Sequence, residues 1–166
     1  LLPISSLPSK YGIGCFSKEA YKWVDQLKDA GQSYWQVLPM GSTGYGDSPY
    51  QAFSTFAGNP YFIDLEDLID RGWLTRKECD SVDFGNLDAY IDYEKIYLGR
   101  FKLLRKAHER SDIGSNPDFH VFCEGEKSWL NDYCLYRAIK EENGGKSFIE
   151  WPEKLRKRDK KELAVA

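Results

Sequence analysis

The sequence has 166 residues, 42% hydrophobic and 30% charged, the mixture of a globular chain rather than a disordered one. A formal net charge of −3 gives no broad attraction to nucleic acid or to an anionic membrane. No apolar run reaches the roughly 20 residues that span a bilayer, and the length suits one domain or a domain with a small appendage.

The chain opens on Leu1-Leu2-Pro3-Ile4, with neither an initiating Met nor a basic leader, and reads as cut within a hydrophobic run. Residues 1–5 predict a buried strand that delivers a loop carrying Pro8, Gly12 and Gly14. Ser17 is placed to cap a helix with Ala20, Trp23, Val24 and Leu27 on its buried face, and Gly31 is placed to stop it. Residues 34–38 predict a second strand, ended by Pro39. Strand, helix and strand form a βαβ unit, which implies neighbouring parallel strands and a right-handed crossover.

Residues 41–64 begin with a cluster of glycines and a proline and continue as aromatic and small residues, a long irregular segment of the kind that is usually functional. Residues 65–71 suggest a short helix closed by Gly72. Asp92 caps a predicted helix to about Arg110, with Tyr93, Ile96, Tyr97, Phe101 and Leu104 along one stripe. Asn116-Pro117 starts another, carrying Phe119, Phe122, Leu130, Tyr133 and Cys134 toward Gly144-Gly145. No convincing strand follows residue 63.

Two parallel strands cannot bury both of their faces, so this beginning reads as the opening of a larger α/β fold interrupted by a helical insertion. A (β/α)8 barrel takes about 250 residues, and the chain would hold only its first quarter. The expected organisation is a barrel start over residues 1–74, with its long loop at 41–64, and a mainly helical subdomain over 75–166.

Cys15, Cys79, Cys123 and Cys134 are scattered without a regular frame, which favours reduced thiols in a cytoplasmic protein. His120 and Cys123 make a His-x-x-Cys, but His108 is the only other histidine, so no metal site is expected.

The long loop carries the chemistry. Placed at the carboxyl end of a strand, it lies where barrel active sites are built. Tyr45, Tyr50, Phe53, Phe56 and Tyr61 offer flat apolar faces, and Asp47, Ser48, Gln51 and Asn59 offer hydrogen bonds. That combination suits a sugar polymer; a loop packed on its own core accounts for it equally well.

The stretch Trp35-Gln36-Val37-Leu38-Pro39-Met40-Gly41-Ser42-Thr43-Gly44-Tyr45-Gly46-Asp47-Ser48-Pro49-Tyr50-Gln51 resembles the signature of the amylomaltases, the 4-α-glucanotransferases of glycoside hydrolase family 77. Leu1-Leu2-Pro3-Ile4-Ser5-Ser6-Leu7-Pro8, Tyr11-Gly12-Ile13-Gly14 and Ala30-Gly31-Gln32-Ser33-Tyr34-Trp35 match it as well. Coverage is near continuous over residues 1–74 and collinear beyond, through Trp151-Pro152.

The resemblance implies a (β/α)8 barrel enzyme that cuts an α-1,4-glucan and passes the piece to another glucan's 4-hydroxyl by retaining double displacement, without cofactor or metal. Its substrates would be maltooligosaccharides and fragments of starch or glycogen. Asp47, Ser48 and Tyr50 become the expected substrate-binding residues, Ser48 and Tyr50 beside the sugar ring that is covalently attached. Tyr45 and Tyr97 would correspond to an outer glucan-binding site of some members. The family's nucleophile and acid/base have no counterpart here, so the chain is expected to be an inactive amino-terminal fragment; a free-standing, non-catalytic glucan-binding module is the alternative. Leu65-Glu66-Asp67-Leu68 resembles the surroundings of the family's acid/base but stands at the position of a surface helix. The basic run 154–161 reads as a solvated helix face.

Overall fold

The computed structural model describes residues 1–44, 46–85 and 89–163. The chain divides into two compact units, Leu1–Asn116 and Pro117–Ala166. The expected boundary at residue 74 falls inside the first unit, because the helix that begins at Tyr93 packs on the same core as Tyr11, Tyr61 and Leu65.

In the first unit, α1 spans Lys18–Asp29, and the Ser17 side chain accepts from Glu19 N at its start. Gly31 lies at φ 71°, and Gln32 N donates to Leu27 O, closing the helix with a left-handed residue as glycine allows. Of the predicted buried face only Ala20 is buried; Val24 is 49% exposed. Ile4 and Leu7 reach the first turn, while Trp23 packs at the edge of that small cluster.

The two predicted strands do not appear as strands. Ile4–Ser6 is a 3-10 helix, and no β-strand occurs among the described residues. Residues 1–3 and 35–37 nevertheless run side by side: Leu2 N donates to Gln36 O at 3.1 Å, and Trp35 Nε1 to Leu2 O at 2.8 Å. A parallel ladder needs a succession of slanted bonds, and a single backbone bond does not make one.

α2 (Leu65–Asp70) is capped by Asp64, and α3 (Arg76–Asp80) begins with a reciprocal Thr75–Glu78 capping box. α4 (Tyr93–Arg110) starts on Asp92, which accepts from Lys95 N. Its buried line is Ile96, Gly99, Arg100, Leu103 and Ala107, rotated from the predicted stripe, so that Tyr97 is 57% exposed. Glu78 joins α3 to α4, accepting from Lys106 Nζ at 2.9 Å and from both terminal nitrogens of Arg110 at 2.8 Å.

In the second unit, the single helix predicted after Pro117 is two: α5 (Pro117–Gly125) and α6 (Leu130–Glu142). Gly125 ends the first, as expected of the residue that loses most backbone freedom in a helix. Trp151 is 4% exposed, with the rings of Tyr136 and Phe148 at 5.3 and 5.4 Å. Two short helices, α7 (Glu153–Arg156) and α8 (Lys160–Leu163), carry the basic run, where Lys154 pairs with Glu162 and Arg158 with Asp132 on an exposed surface. Among the described residues, no helix is long and apolar enough to cross a membrane.

Candidate glucan-binding site

The segment after Pro39 leaves the body of the first unit and returns to it through a narrow neck. Asn59 N donates to Met40 O at 2.8 Å, Gly41 bridges Gly58, and the buried Ser42 hydroxyl donates to Gly58 O at 3.1 Å. A second antiparallel bridge joins Thr43 to Ala52, with Phe53 N donating to Ser42 O. Between the bridges, one residue on one arm faces five on the other. The surplus is gathered into a turn by Ser54, whose hydroxyl accepts from Phe56 N and Ala57 N. At the return, Asn59 accepts from Tyr61 N and caps the 3-10 helix Pro60–Phe62.

The tip of this excursion holds the expected sugar-binding residues. Asp47 has φ 52°, a left-handed backbone that aspartate tolerates better than most residues. Thr43 Oγ1 donates to Asp47 Oδ1 at 3.3 Å. Ser48 follows; its hydroxyl accepts from Tyr50 N at 3.4 Å and its carbonyl from Gln51 N at 3.0 Å. The tight turn leaves Tyr50 73% exposed. Asp47, Ser48 and Tyr50 thus lie on one short turn, with Asp47 against the cavity behind it and Tyr50 exposed. Tyr45 lies outside the described residues.

Behind the tip is a cavity of about 90 Å³ whose walls include Ser5, Thr43, Asp47, Asn59, Tyr61 and Tyr93. Burial pushes the Asp47 carboxyl above the usual aspartate range, and the Thr43 hydrogen bond partly opposes that rise. Burial also raises the Tyr93 phenol, helped by the facing negative charge of Asp47 and opposed by a hydrogen bond with Ser5.

Tyr97 is not in the cavity wall. It stands one helical turn beyond Tyr93 on α4, its ring edge-on to Phe101 at 5.3 Å, and Phe101 in turn meets Tyr61 at 5.8 Å. Tyr97 is therefore joined through packed aromatic rings to Tyr61 in the cavity wall.

Glu66 is tied elsewhere. Both of its oxygens accept from Arg76, at 2.7 and 2.6 Å, and Tyr11 donates to it at 3.0 Å. Arg76 holds its pKa below the usual glutamate range. Asp67 pairs with Arg71 at 2.7 Å.

Sequence reasoning missed two partners of the site. Tyr93 faces Asp47 through tertiary structure, which no short-range spacing announces, whereas Thr43 lies only four residues before Asp47, within reach of a local turn. Arg100 was missed too, although a basic residue between Ile96 and Leu103 on one helical face is itself a signal. Arg100 is 1% exposed; its Nη2 donates to Ile63 O, where the excursion ends, while Nε and Nη1 have no partner.

A family model described as 4-alpha-glucanotransferase matches residues 2–166. The chain belongs to the 4-alpha-glucanotransferase family. It is 48% identical over 154 residues to a 4-alpha-glucanotransferase of Streptococcus pneumoniae, covering 92% of this chain and 30% of that protein. The corresponding enzyme of Thermus thermophilus is 44% identical, over 100% of this chain and 33% of its own length. Among solved structures, the amylomaltase from Streptococcus agalactiae in complex with acarbose superposes with a TM-score of 0.88 at 34% identity. That match covers 99% of this chain and 34% of the amylomaltase. The chain thus spans about a third of the length of the family members it matches.

Proposed function

We propose that these residues form the amino-terminal, donor-side part of a 4-α-glucanotransferase, which moves an α-1,4-glucan segment to the 4-hydroxyl of a second glucan or of glucose. The observation that carries this reading is one short turn, on a loop closed at its neck, that holds the Asp47 carboxylate against Thr43, the Ser48 hydroxyl against Tyr50 N, and leaves the Tyr50 side chain exposed. An exposed aromatic face takes the apolar side of a pyranose, and the polar pair takes its hydroxyls. The acarbose bound to the Streptococcus agalactiae amylomaltase is consistent with such a ligand.

Retaining transfer needs two carboxyl groups about 5–5.5 Å apart, a nucleophile and an acid/base. Glu66 and Glu78 are unsuited, since each is engaged by basic side chains. Asp47 is held against Thr43 as a binding group. The resemblance to the amylomaltases implies that the reacting carboxylates belong to residues outside this sequence. In this reading residues 1–3 and 35–37 are the first two staves of a (β/α)8 barrel, and α1 is the crossover between them. Four unpaired cysteines suit the cytoplasm.

The test is glucose release from maltotriose, with longer maltodextrins followed in parallel, by this chain and by the longest gene product that contains it. Activity in the longer protein only is the expected result. Turnover by the 166-residue chain would overturn the assignment, and glucan retention without turnover by both would make the protein a binding module.

A further inference from the structure

Among the described residues, Arg100 is the only charged side chain that is fully buried. A buried guanidinium with two donor nitrogens unpaired opposes folding. Its surroundings compensate little: the nearby Cys15 thiol is pushed up to about 11, by burial first, and is neutral at neutral pH. Burial lowers the pKa of Arg100, outweighing the favourable contact and hydrogen bond with Cys15 and the charge of Asp64. The hydrogen bond it does make is to the carbonyl of Ile63. That carbonyl lies at the end of the looped excursion, directly before the Asp64 cap of α2.

The position of Arg100 on α4 gives that bond a meaning. Tyr93 precedes it by seven residues, a spacing that keeps to one side of a helix, and the more exposed Tyr97 stands between them on the same helix. Tyr93 walls the cavity behind Asp47, and Tyr97 leans on Phe101. We infer that Arg100 is a positioning residue for glucan binding: through the Ile63 carbonyl it ties α4, with Tyr93 and Tyr97, to the loop that presents Asp47, Ser48 and Tyr50. This rests on the glucanotransferase reading. A residue selected only to fill the core would be apolar, because a side chain of similar length without charge leaves no donor unpaired.

The experiment uses the longest gene product containing this chain, with Arg100→Met and Arg100→Lys. Kinetics on maltotriose are measured together with melting temperature. The Met protein is expected to melt at or above the wild-type temperature while its KM rises on the order of tenfold, with kcat within about twofold. The Lys protein, which keeps a charged donor, is expected to recover part of the KM. A Met protein with wild-type KM overturns the inference, as does one whose melting temperature and activity fall together. If the Met protein does not fold, the Lys protein decides: raised KM at the wild-type melting temperature supports positioning, and wild-type KM with a lowered melting temperature refutes it. A wild-type protein that neither binds nor transfers maltotriose refutes the glucanotransferase reading itself, and the inference with it.

Discussion

The Thr43 hydroxyl donates to Asp47 Oδ1 at 3.3 Å across a turn in which Asp47 holds a left-handed backbone. Side chain and backbone thus act on the same residue: one fixes the carboxylate, the other sets the direction in which Ser48 and Tyr50 leave the turn. Asp47→Ala removes both supports. It should cost about 1 kcal/mol in stability, from the left-handed conformation that alanine disfavours, and weaken maltooligosaccharide binding. Chemical denaturation and a binding titration on the same preparation measure the two effects.

Asp47→Asn separates charge from conformation, since asparagine tolerates the same backbone. The folded-state pKa of Asp47 is raised, chiefly by burial. Its contribution to stability is therefore fully present below the ordinary aspartate range and is lost as pH rises through the elevated value. From about pH 4 upward, the melting temperature of the wild type should fall relative to that of the Asn variant. Parallel curves would show that Asp47 titrates normally.

Glu78 has the opposite sign. Arg110 first, then Lys106 and the Thr75 donors, hold its carboxyl far below the usual glutamate range. The stabilisation is present above the unfolded-state value and is lost as pH falls through the depressed one. Glu78→Gln should lower the melting temperature at pH 7, and the difference from wild type should shrink under strongly acidic conditions. A constant difference would assign the loss to the capping box rather than to charge.

Gly14 and Gly99 are expected to respond unequally to alanine. A Cβ on Gly14 would stand 2.6 Å from Leu7 N and 2.7 Å from Leu7 O, and backbone cannot swing aside. On Gly99 the nearest atom is a methyl of Val82, which can shift. Gly14→Ala should cost at least the upper part of the roughly 1–3 kcal/mol range of overpacking, and Gly99→Ala less. Denaturation midpoints compare them directly.

Tyr50 and Tyr97 are 73% and 57% exposed, so their removal should barely touch folding. Tyr50→Ala and Tyr97→Ala should each alter stability by no more than about 0.5 kcal/mol. Both should weaken retention on a glucan matrix, Tyr97→Ala more for long chains than for short ones. Unchanged retention in both would remove these rings from the binding surface.

The helix starts were legible because capping is local: Ser17, Asp92 and Pro117 carry their meaning within four residues. The strands were not. The apolar runs at 1–5 and 34–38 were read correctly as partners, joined by the Leu2–Gln36 bond, but a parallel ladder depends on chain far away in sequence. The α4 stripe was misjudged because it was drawn through apolar and aromatic residues alone, whereas the fold buries Arg100 and leaves Tyr97 more than half exposed. At the site, residue types left a sugar surface and a self-packed loop equally open, and the choice of Asp47, Ser48 and Tyr50 came from the resemblance to the amylomaltases. The walls contributed by Ser5 and Tyr93 come from distant segments and leave no local trace.

At the tip of the excursion, Asp47 alone of the expected binding residues, among those described, lines the cavity shared with Ser5 and Tyr93. The neck between Met40 and Asn59 fixes the span of the excursion independently of that tip. Its two ends meet at a fixed distance set by the Asn59–Met40 bond, so changes at the tip are not transmitted as a change in span. Doubling the length of such a closed loop costs only about 0.6 kcal/mol of closure entropy. Residues can accordingly be inserted, deleted or exchanged between the arms while the core around Tyr11, Leu65 and Ile96 keeps its packing. For an engineer, this is a cassette site: a graft at the tip would alter which ligand is met without asking the body to fold again.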